Sequence, residues 1–483
     1  MLHRICVIPQ QQIIQAETGG NLLQILREAG FFVDAVCGGN GSCGKCTVWI
    51  DRKEVQSCKM TVDRDLTVYL PDAGLGAPVV ECFCDRDPQA GRGALRAAFD
   101  IGTTTVVGYL LDGQTGRELC CASMLNPQIR YGADVISRIQ QALHGHMEGL
   151  RNTIRGCVAE LIRAMCRELP ADPDQIEALC IVGNPAMQQL FLGILPENLA
   201  KLPFRPVLLQ PEILSAGEYL PVCPNAELLV VPNIAGFVGA DTLACVLATE
   251  LFRQEEMTLL VDIGTNGEMV LGNRHGMVAC AAAAGPALEG ACIQFGMRGQ
   301  AGAIDHIRLE NGALVCSVIH GGEAVGICGS GIIDAVAAAL DAGWINARGK
   351  ILREDARIPL TGQIYLSQED IRQVQLAKGA IAAGIGQMAA HLGIAVQDIQ
   401  KVYLAGAFGS YMDPDSACRI GLLPNALQGK ITAVGNAAGS GARQMVCDRK
   451  AFSDTRQLLR DIQFIELATA PDFQRDFARC MRF

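Results

Sequence analysis

Apolar side chains in this sequence recur at spacings that predict its first elements directly. Residues 5–14 read as a β-hairpin, and residues 21–29 (NLLQILREA) as an amphipathic helix with Leu22, Leu23, Ile25 and Leu26 turned inward. The alternation Thr47-Val48-Trp49-Ile50 predicts a strand. Residues 85–96 (DRDPQAGRGALR) are polar and carry one Pro and two Gly, so they read as a linker. From Ala97 onward strands, glycine turns and helices alternate to the end of the chain, an α/β signature. Residues 368–392 predict a long helix, with Ile371, Val374, Ala377, Ile381, Ile385 and Met388 spaced for one face. No short tandem repeat is present.

The most specific chemistry lies in the run Cys37-Gly-Gly-Asn-Gly-Ser-Cys43-Gly-Lys-Cys46, followed after a short segment by Cys58. Four thiolates, three of them on one glycine-rich loop, are the ligand set of a 2Fe-2S cluster. The glycines let the backbone curl around a cluster and aim its N–H groups at the sulfurs. Four cysteines also suit a single zinc, but such sites usually show two CxxC pairs, and one is present here. Hairpin, helix, cysteine loop and strand in this order resemble the β-grasp ferredoxin domain. One extra residue before the second cysteine departs from the plant-type pattern. The short gap to Cys58, bridged by Asp51-Arg52-Lys53, is more similar to the 2Fe-2S domains of molybdenum hydroxylases.

Composition narrows the class. A chain of 483 residues holds two or three domains. Half its residues are apolar and only 5% aromatic, so its cores are built from aliphatics and alanine. The formal charge is −10 and no run of Lys or Arg stands out, which argues against nucleic acid and anionic membranes as partners. No apolar stretch long enough to cross a membrane is free of Gly, Pro and charge. Gln10, Gln11 and Gln12 interrupt any secretory pattern, and twenty-one cysteines without one predict a reducing cytoplasm. Most of the other cysteines read as small buried hydrophobes. Cys82 and Cys84 (ECFCD) are candidates for a metal or redox role.

A long-range echo carries the second chemistry. Phe99-Asp100-Ile101-Gly102-Thr103-Thr104-Thr105 and Val261-Asp262-Ile263-Gly264-Thr265-Asn266-Gly267-Glu268 each read as strand, Asp-Ile-Gly-Thr turn, strand, about 160 residues apart. Such a turn brings backbone N–H groups close to a phosphate, and threonine hydroxyls add donors. The aspartate repels phosphate, so its natural role is to hold Mg2+, usually through waters. Two copies predict duplicated halves. Val402-Tyr403-Leu404-Ala405-Gly406-Ala407-Phe408-Gly409-Ser410 is a further strand running into a glycine turn, suited to close approach by adenine or ribose. Together these resemble the phosphate-1, phosphate-2 and adenosine motifs of the ASKHA superfamily (acetate and sugar kinases, Hsp70, actin). Residues 235–248 and 436–445 are similar to its two connecting helices, whose small residues allow close crossing. The resemblance implies a β-grasp ferredoxin domain (1–85), a linker (86–96) and a duplicated, two-lobed actin/Hsp70-like ATPase core (97–250 and 251–483), α+β followed by α/β.

Further segments narrow the resemblance: 126–135 (NPQIRYGADV), 183–187 (GNPAM), 232–236 (PNIAG), 285–290 (GPALEG) and 328–334 (CGSGIID). With the ferredoxin domain, the chain resembles the reductive activators of corrinoid proteins. It is shorter than the larger members, as though most of the domain between cluster and core were missing, and it lacks the cysteine-rich C-terminus of related activators with 4Fe-4S clusters. The resemblance implies an ATP-driven one-electron transfer that restores Co(I) from Co(II) on the corrinoid protein of a methyltransferase system, an upstream electron donor, and a homodimer. A one-electron centre and a nucleotide site on one chain independently predict that nucleotide turnover gates or drives electron transfer.

The residue assignments follow. Cys37, Cys43, Cys46 and Cys58 hold the cluster. Asp100 and Asp262 orient Mg2+ and the attacking water. Gly102, Thr103, Thr104, Gly264, Thr265 and Asn266 line the ATP phosphates, and Gly406, Ala407 and Gly409 meet the adenosine. Gly329, Ser330 and Gly331 form either a further nucleotide-facing turn or a helix start capped by Ser330. Glu268 and Glu289 are candidates to polarise water, and Asn126, Tyr131 and Asp134 either face the cleft or cap a helix. Three other functions fit the same motifs: reduction of another low-potential metalloprotein, a redox-sensing kinase, and a chaperone-like ATPase.

Overall fold

The structure, a computed structural model, describes residues 2–8, 12–29, 31, 33, 41, 46–50, 53–70, 81–84, 93–264, 266–290 and 292–483. At the N-terminus β1 (Leu2–Ile8) pairs antiparallel with β2 (Gln12–Glu17) and parallel with β5 (Leu66–Tyr69). Strand β3 (Thr47–Ile50) pairs antiparallel with β4 (Lys53–Gln56) and with β5, which completes the order β2-β1-β5-β3-β4. Helix α1 (Leu22–Glu28) buries Leu22, Leu23 and Leu26, while Ile25 packs at the margin of the same core. One helix gripped by a mixed sheet is the β-grasp arrangement.

By contacts the chain divides into two compact units, Met1–Val207 with Ile213–Leu229, and Leu208–Glu212 with Val230–Phe483. The first unit contains the β-grasp sheet and a seven-stranded sheet. Strands β6 (Glu81–Cys84), β7 (Leu95–Ile101), β8 (Thr105–Asp112), β9 (Glu118–Leu125), β10 (Ile176–Gly183), β11 (Glu212–Ser215) and β12 (Glu227–Val230) lie in the order β11-β12-β10-β7-β8-β9-β6. Helices α2 (Val135–Gln141), α3 (Met147–Glu168) and α4 (Pro185–Leu192) accompany this sheet, with α3 packed along β8 and β9. Residues 81–84, expected to close the ferredoxin region, instead pair with β9 and cover the edge of this sheet. The expected linker likewise ends in strand, because Leu95 and Arg96 open β7. Cys84 is the backbone partner of Cys120, and Cys120 is disulfide-bonded, a departure from the expectation of reduced thiols. Every other cysteine with a described side chain is outside any disulfide.

The second unit repeats the design. Strands β13 (Thr258–Ile263), β14 (Gly267–Asn273) and β15 (Gly276–Ala282) form an antiparallel meander, as β7, β8 and β9 do. On the other side of β13 runs a parallel strand, β21 (Lys401–Ala405), just as β10 runs parallel to β7. With β22 (Ile431–Gly435) and β23 (Ile462–Phe464) the order is β22-β21-β13-β14-β15-β23. Two small sheets, β16 (Ala303–Glu310) with β17 (Ala313–Val318) and β18 (Gly326–Ile327), and β19 (Arg357–Thr361) with β20 (Ile364–Ser367), are inserted between the halves of this sheet. Five central strands in matching order in both units are the duplicated ASKHA topology.

Helices of the second unit are α5 (Ala240–Ala248), α6 (Gly329–Asp341), α7 (Gln368–His391), α8 (Gly406–Tyr411), α9 (Pro414–Arg419), α10 (Ala437–Cys447), α11 (Arg449–Asp461) and α12 (Phe473–Cys480). The long helix α7 buries all six residues expected on its inner face and starts at a Ser367–Asp370 capping box. Helices α5 and α10, the predicted connecting pair, cross with almost no space between them: a Cβ added at Gly441 would stand 2.1 Å from the Ala244 carbonyl oxygen. That contact groups α5 with the second unit, although the sequence places it before residue 250. Gly441→Ala is therefore expected to destabilise the fold by about 1–3 kcal/mol. Denaturant unfolding measures it, and an unchanged midpoint would mean the crossing is not tight.

Candidate functional site

Two of the four predicted cluster ligands, Cys46 and Cys58, are described. Neither is in a disulfide; Cys46 is buried at the entry to β3 and Cys58 partly exposed in the 3-10 turn Ser57–Lys59. Their backbones are tied together through a small polar network. The Ser57 N–H and hydroxyl both donate to the Cys46 carbonyl at 2.8 Å. Asn21, whose Oδ1 caps α1, donates its amide to the Cys58 carbonyl at 2.8 Å. Helix start and ligand turn are thus one unit. Cys37 and Cys43 lie outside the described residues.

In the first unit the predicted phosphate turn joins β7 to β8. Asp100 ends the strand side, partly exposed, with Val107 opposite it on β8. The turn closes when the Gly102 N–H donates to the Thr105 carbonyl at 3.0 Å; a Cβ at Gly102 would stand 2.6 Å from that oxygen. Its other carbonyls are held from behind. Asn126 donates its amide to the Gly102 carbonyl at 2.8 Å and its backbone N–H to the Thr104 carbonyl at 2.9 Å. The fully buried Arg138 donates to the Thr103 carbonyl at 2.6 Å and to the Gly132 carbonyl at 2.9 Å. Asn184 donates to the Thr103 hydroxyl at 3.1 Å. Asn126 thus stands behind the turn. Asp134 caps α2 in a capping box with Ser137, and Tyr131 packs against Arg130 and the His146 ring.

In the second unit Asp262 sits near the end of β13, opposite Glu268 on β14 and Ala405 on β21. Gly406 follows at φ +82°, and a Cβ there would stand 2.5 Å from Asp262 Oδ1. Only glycine fits, for conformation and for space. Asp241, in the first turn of α5, completes an acidic group. Burial pushes its carboxyl up to about 6, against hydrogen bonds from the Thr242 N–H and hydroxyl that lower it. Burial, reinforced by the Asp241 charge, pushes Asp262 up to about 7. Glu268 is raised well above the usual carboxylate range by burial and by both aspartates. Accessibility leaves each partly open to solvent, as for groups at the floor of a recess. Asp241 is a residue the motif reading overlooked. Its signal was there: it is the one charged residue in the stretch 235–248 (AGFVGADTLACVLA).

Around this group the Gly264 N–H donates to the Asn266 carbonyl at 2.9 Å, and Glu289 Oε1 lies 3.8 Å from the position of a Cβ on Gly264. Thr265 lies outside the described residues. Gly406, Ala407 and Gly409 form the short helix α8, with Gly409 packed on Leu404. Gly329, Ser330 and Gly331 are the buried first turn of α6. The helix is capped at Cys328 rather than Ser330, and a Cβ at Gly329 would meet the Leu288 carbonyl at 1.8 Å and the Phe408 ring at 2.4 Å. These glycines serve close packing, through which α6 supports Phe408 of α8. Among the described residues no three His, Cys, Asp or Glu side chains are gathered into a ready metal cage.

Comparison with known proteins accords with this architecture. Residues 6–69 match the 2Fe-2S iron-sulfur cluster binding domain, 95–254 the RACo middle region, and 256–483 the C-terminal domain of RACo, the ASKHA domain. The corrinoid activation enzyme RamQ of Eubacterium limosum is 38% identical over 405 residues, spanning 78% of this chain and 68% of the relative. The Co(II) methylated amine-specific corrinoid protein reductase of Methanosarcina barkeri is 29% identical over 410 residues, 78% of this chain and 74% of the relative. A solved structure of a reductive activator for corrinoid, iron-sulfur protein superposes with a TM-score of 0.72 at 28% identity, covering 100% of this chain and 98% of that one. The chain belongs to the RACo family of reductive activators, with an N-terminal 2Fe-2S-binding domain joined to an ASKHA core.

Proposed function

We propose that this chain couples ATP hydrolysis to the transfer of one electron onto a Co(II) corrinoid protein, returning its cobalt to Co(I). The observation that carries the reading is the presence on one chain of a β-grasp domain with Cys46 and Cys58 outside any disulfide and a duplicated sheet with an Asp-Ile-Gly-Thr turn in each half. The buried and half-buried thiols, with their carbonyls already tied down, fit a thiolate ligand set completed by Cys37 and Cys43. When bound, a 2Fe-2S cluster supplies a one-electron donor. Raising one electron by 100 mV costs about 2.3 kcal/mol, which a nucleotide can supply by favouring one protein state over another.

The remaining assignments belong to the same proposal. Gly102, Thr103 and Thr104 offer donors to phosphate, with Gly264, Thr265 and Asn266 doing so in the second unit. Asp262 and Asp100 hold Mg2+ through waters, and Asp241 joins them. Mg2+ keeps several waters and takes only one or two carboxylates plus phosphate oxygens, so a loose acidic group suits it better than a closed cage. Gly406, Ala407 and Gly409 receive the adenosine. The corrinoid protein serves a methyltransferase system, an upstream donor reloads the cluster, and the chain works as a homodimer in the cytoplasm. In support of that compartment, the free thiols outnumber the disulfide-bonded Cys120 among described cysteines, and no described helix is long and apolar enough to cross a membrane.

The direct test mixes the reduced protein with a Co(II) corrinoid protein and follows Co(I) absorbance with and without ATP. Cys46→Ala is expected to lose the cluster spectrum and Co(I) formation together. Asp262→Ala is expected to keep the spectrum and lose ATP-dependent Co(I) formation by about a hundredfold or more. Co(I) formation indifferent to ATP would refute the coupling, and phosphorylated product without a protein partner would identify a kinase instead.

The acidic group makes a separate prediction about pH. Asp241 and Asp262 titrate near 6 and 7 when folded, above the 3.8 of an unperturbed carboxyl. Between about pH 4 and 7 the folded chain therefore keeps protons that the unfolded chain has released, and its stability falls as pH rises through that window. Asp241→Asn removes one such group and one repulsive neighbour of Asp262. Nucleotide-free protein carrying it is expected to be more stable at pH 7 by on the order of 1 kcal/mol, with little change at pH 4. Thermal melts across this range measure the slope, and a slope equal to that of the native chain would refute the coupling.

A further inference from the structure

The turn 102–105 owes its polarity to the residues behind it, and Asn184 decides the orientation of one hydroxyl. Asn184 Oδ1 accepts the Met187 N–H at 3.0 Å as the N-cap of α4. That bond fixes which end of the amide is which, so its NH2 must face the other way. There it stands 3.1 Å from Thr103 Oγ1. An amide nitrogen can only donate, so the hydroxyl oxygen accepts and its own hydrogen points elsewhere. Among the described residues it meets no acceptor. Thr103 is partly exposed, so the hydrogen is free to meet a ligand.

Asn126 is fixed by the same logic. Its Oδ1 accepts the Gln128 N–H at 3.0 Å, which leaves its NH2 to the Gly102 carbonyl. With Arg138 on the Thr103 carbonyl, the Asn126 N–H on Thr104 and the Gly102 N–H on Thr105, four successive carbonyls are each held by a donor. Carbonyl oxygens are the groups that would repel an anion and attract a cation. Here they are occupied, and the hydroxyl is left as a donor. A phosphate oxygen at neutral pH is an acceptor only.

We infer that Asn184 is a positioning residue that holds the Thr103 hydroxyl as a hydrogen-bond donor to a phosphate oxygen of the nucleotide. The inference rests on the nucleotide-binding reading above and adds a residue, a tautomer-like constraint and a direction to it. It also gives the turn at 102–105 its sign, since that turn is built to receive an anion.

Calorimetric titration of the full-length holoprotein with MgADP tests it. Thr103→Val is expected to weaken binding about tenfold, as for loss of a hydrogen bond to a charged group. Thr103→Ser keeps the hydroxyl and is expected to stay within about twofold of native. Asn184→Asp keeps the helix cap, since Asp caps as well as Asn, but presents an acceptor to Thr103 and captures its hydrogen. It is expected to weaken binding about tenfold or more, and in its background Val and Ser at 103 should be equivalent. Denaturant midpoints of the folded variants should match the native value. Equal losses for Thr103→Ser and Thr103→Val would overturn the inference, even if Asn184→Asp failed to fold. So would an Asn184→Asp chain that binds like native or keeps the full Val penalty. A native chain that binds no MgADP would instead refute the nucleotide reading itself, and this inference with it.

Discussion

The arrangement in the second unit depends on a carboxylate confined at the end of a central strand. Asp262 lies between an antiparallel neighbour, β14, and a parallel one, β21, and the chain leaving β21 must turn directly across it. It can do so because residue 406 is glycine at φ +82°, with 2.5 Å between a would-be Cβ and Asp262 Oδ1. A larger residue would push the strand end away and open the group. The same economy of side-chain volume continues outward. Gly329 lets α6 support Phe408, and Gly441 lets α10 close on α5, whose first turn carries Asp241. Small residues at these crossings are what bring three carboxylates together.

The two halves share a topology and differ in chemistry. The turn after β7 holds four residues between Ile101 and Val106, and the turn after β13 holds three between Ile263 and Gly267. The position opposite the aspartate is Val107 in one and Glu268 in the other. Behind the first stand Asn126, Asn184 and Arg138, all donors; beside the second stand Asp241, Glu268 and Glu289. Each turn thus presents its own sign of charge.

Much of this was legible in the residues. The β-grasp order, both Asp-Ile-Gly-Thr hairpins, the strand at 401–405 and the inner face of α7 follow from local spacing, because hairpin pairing and helix periodicity are local properties. What escaped is non-local. Asn184 reaches Thr103 across 81 residues and Arg138 reaches it across 35. Nothing in a single sequence marks which amide will meet which turn. Asp241 was hidden for a different reason: within an apolar helix start it reads as a first-turn acid favoured by the helix dipole, and only the crossing with α10 and the position of β13 give it a partner in Asp262. Strand β6 falls within the stretch expected to close the ferredoxin domain, and its pairing with β9, about 40 residues away, is likewise non-local. Gly329-Ser330-Gly331 looks like a phosphate turn, and the packing partner that buries it lies 41 residues upstream of Gly329, at Leu288.

The raised carboxyls bear on how fuel could do work here. Without a cation, burial and mutual repulsion leave Asp262 near 7 and Glu268 higher still, so the group holds protons that exposed acids would have released. A divalent cation bound there, as proposed above, would favour the ionised form of each carboxylate. A ligand shifts a conformational equilibrium only by its differential affinity for the two states, and a site that is strained when empty and relieved when full has a large difference to offer. Gathering three partly buried acids costs stability in the nucleotide-free protein at neutral pH.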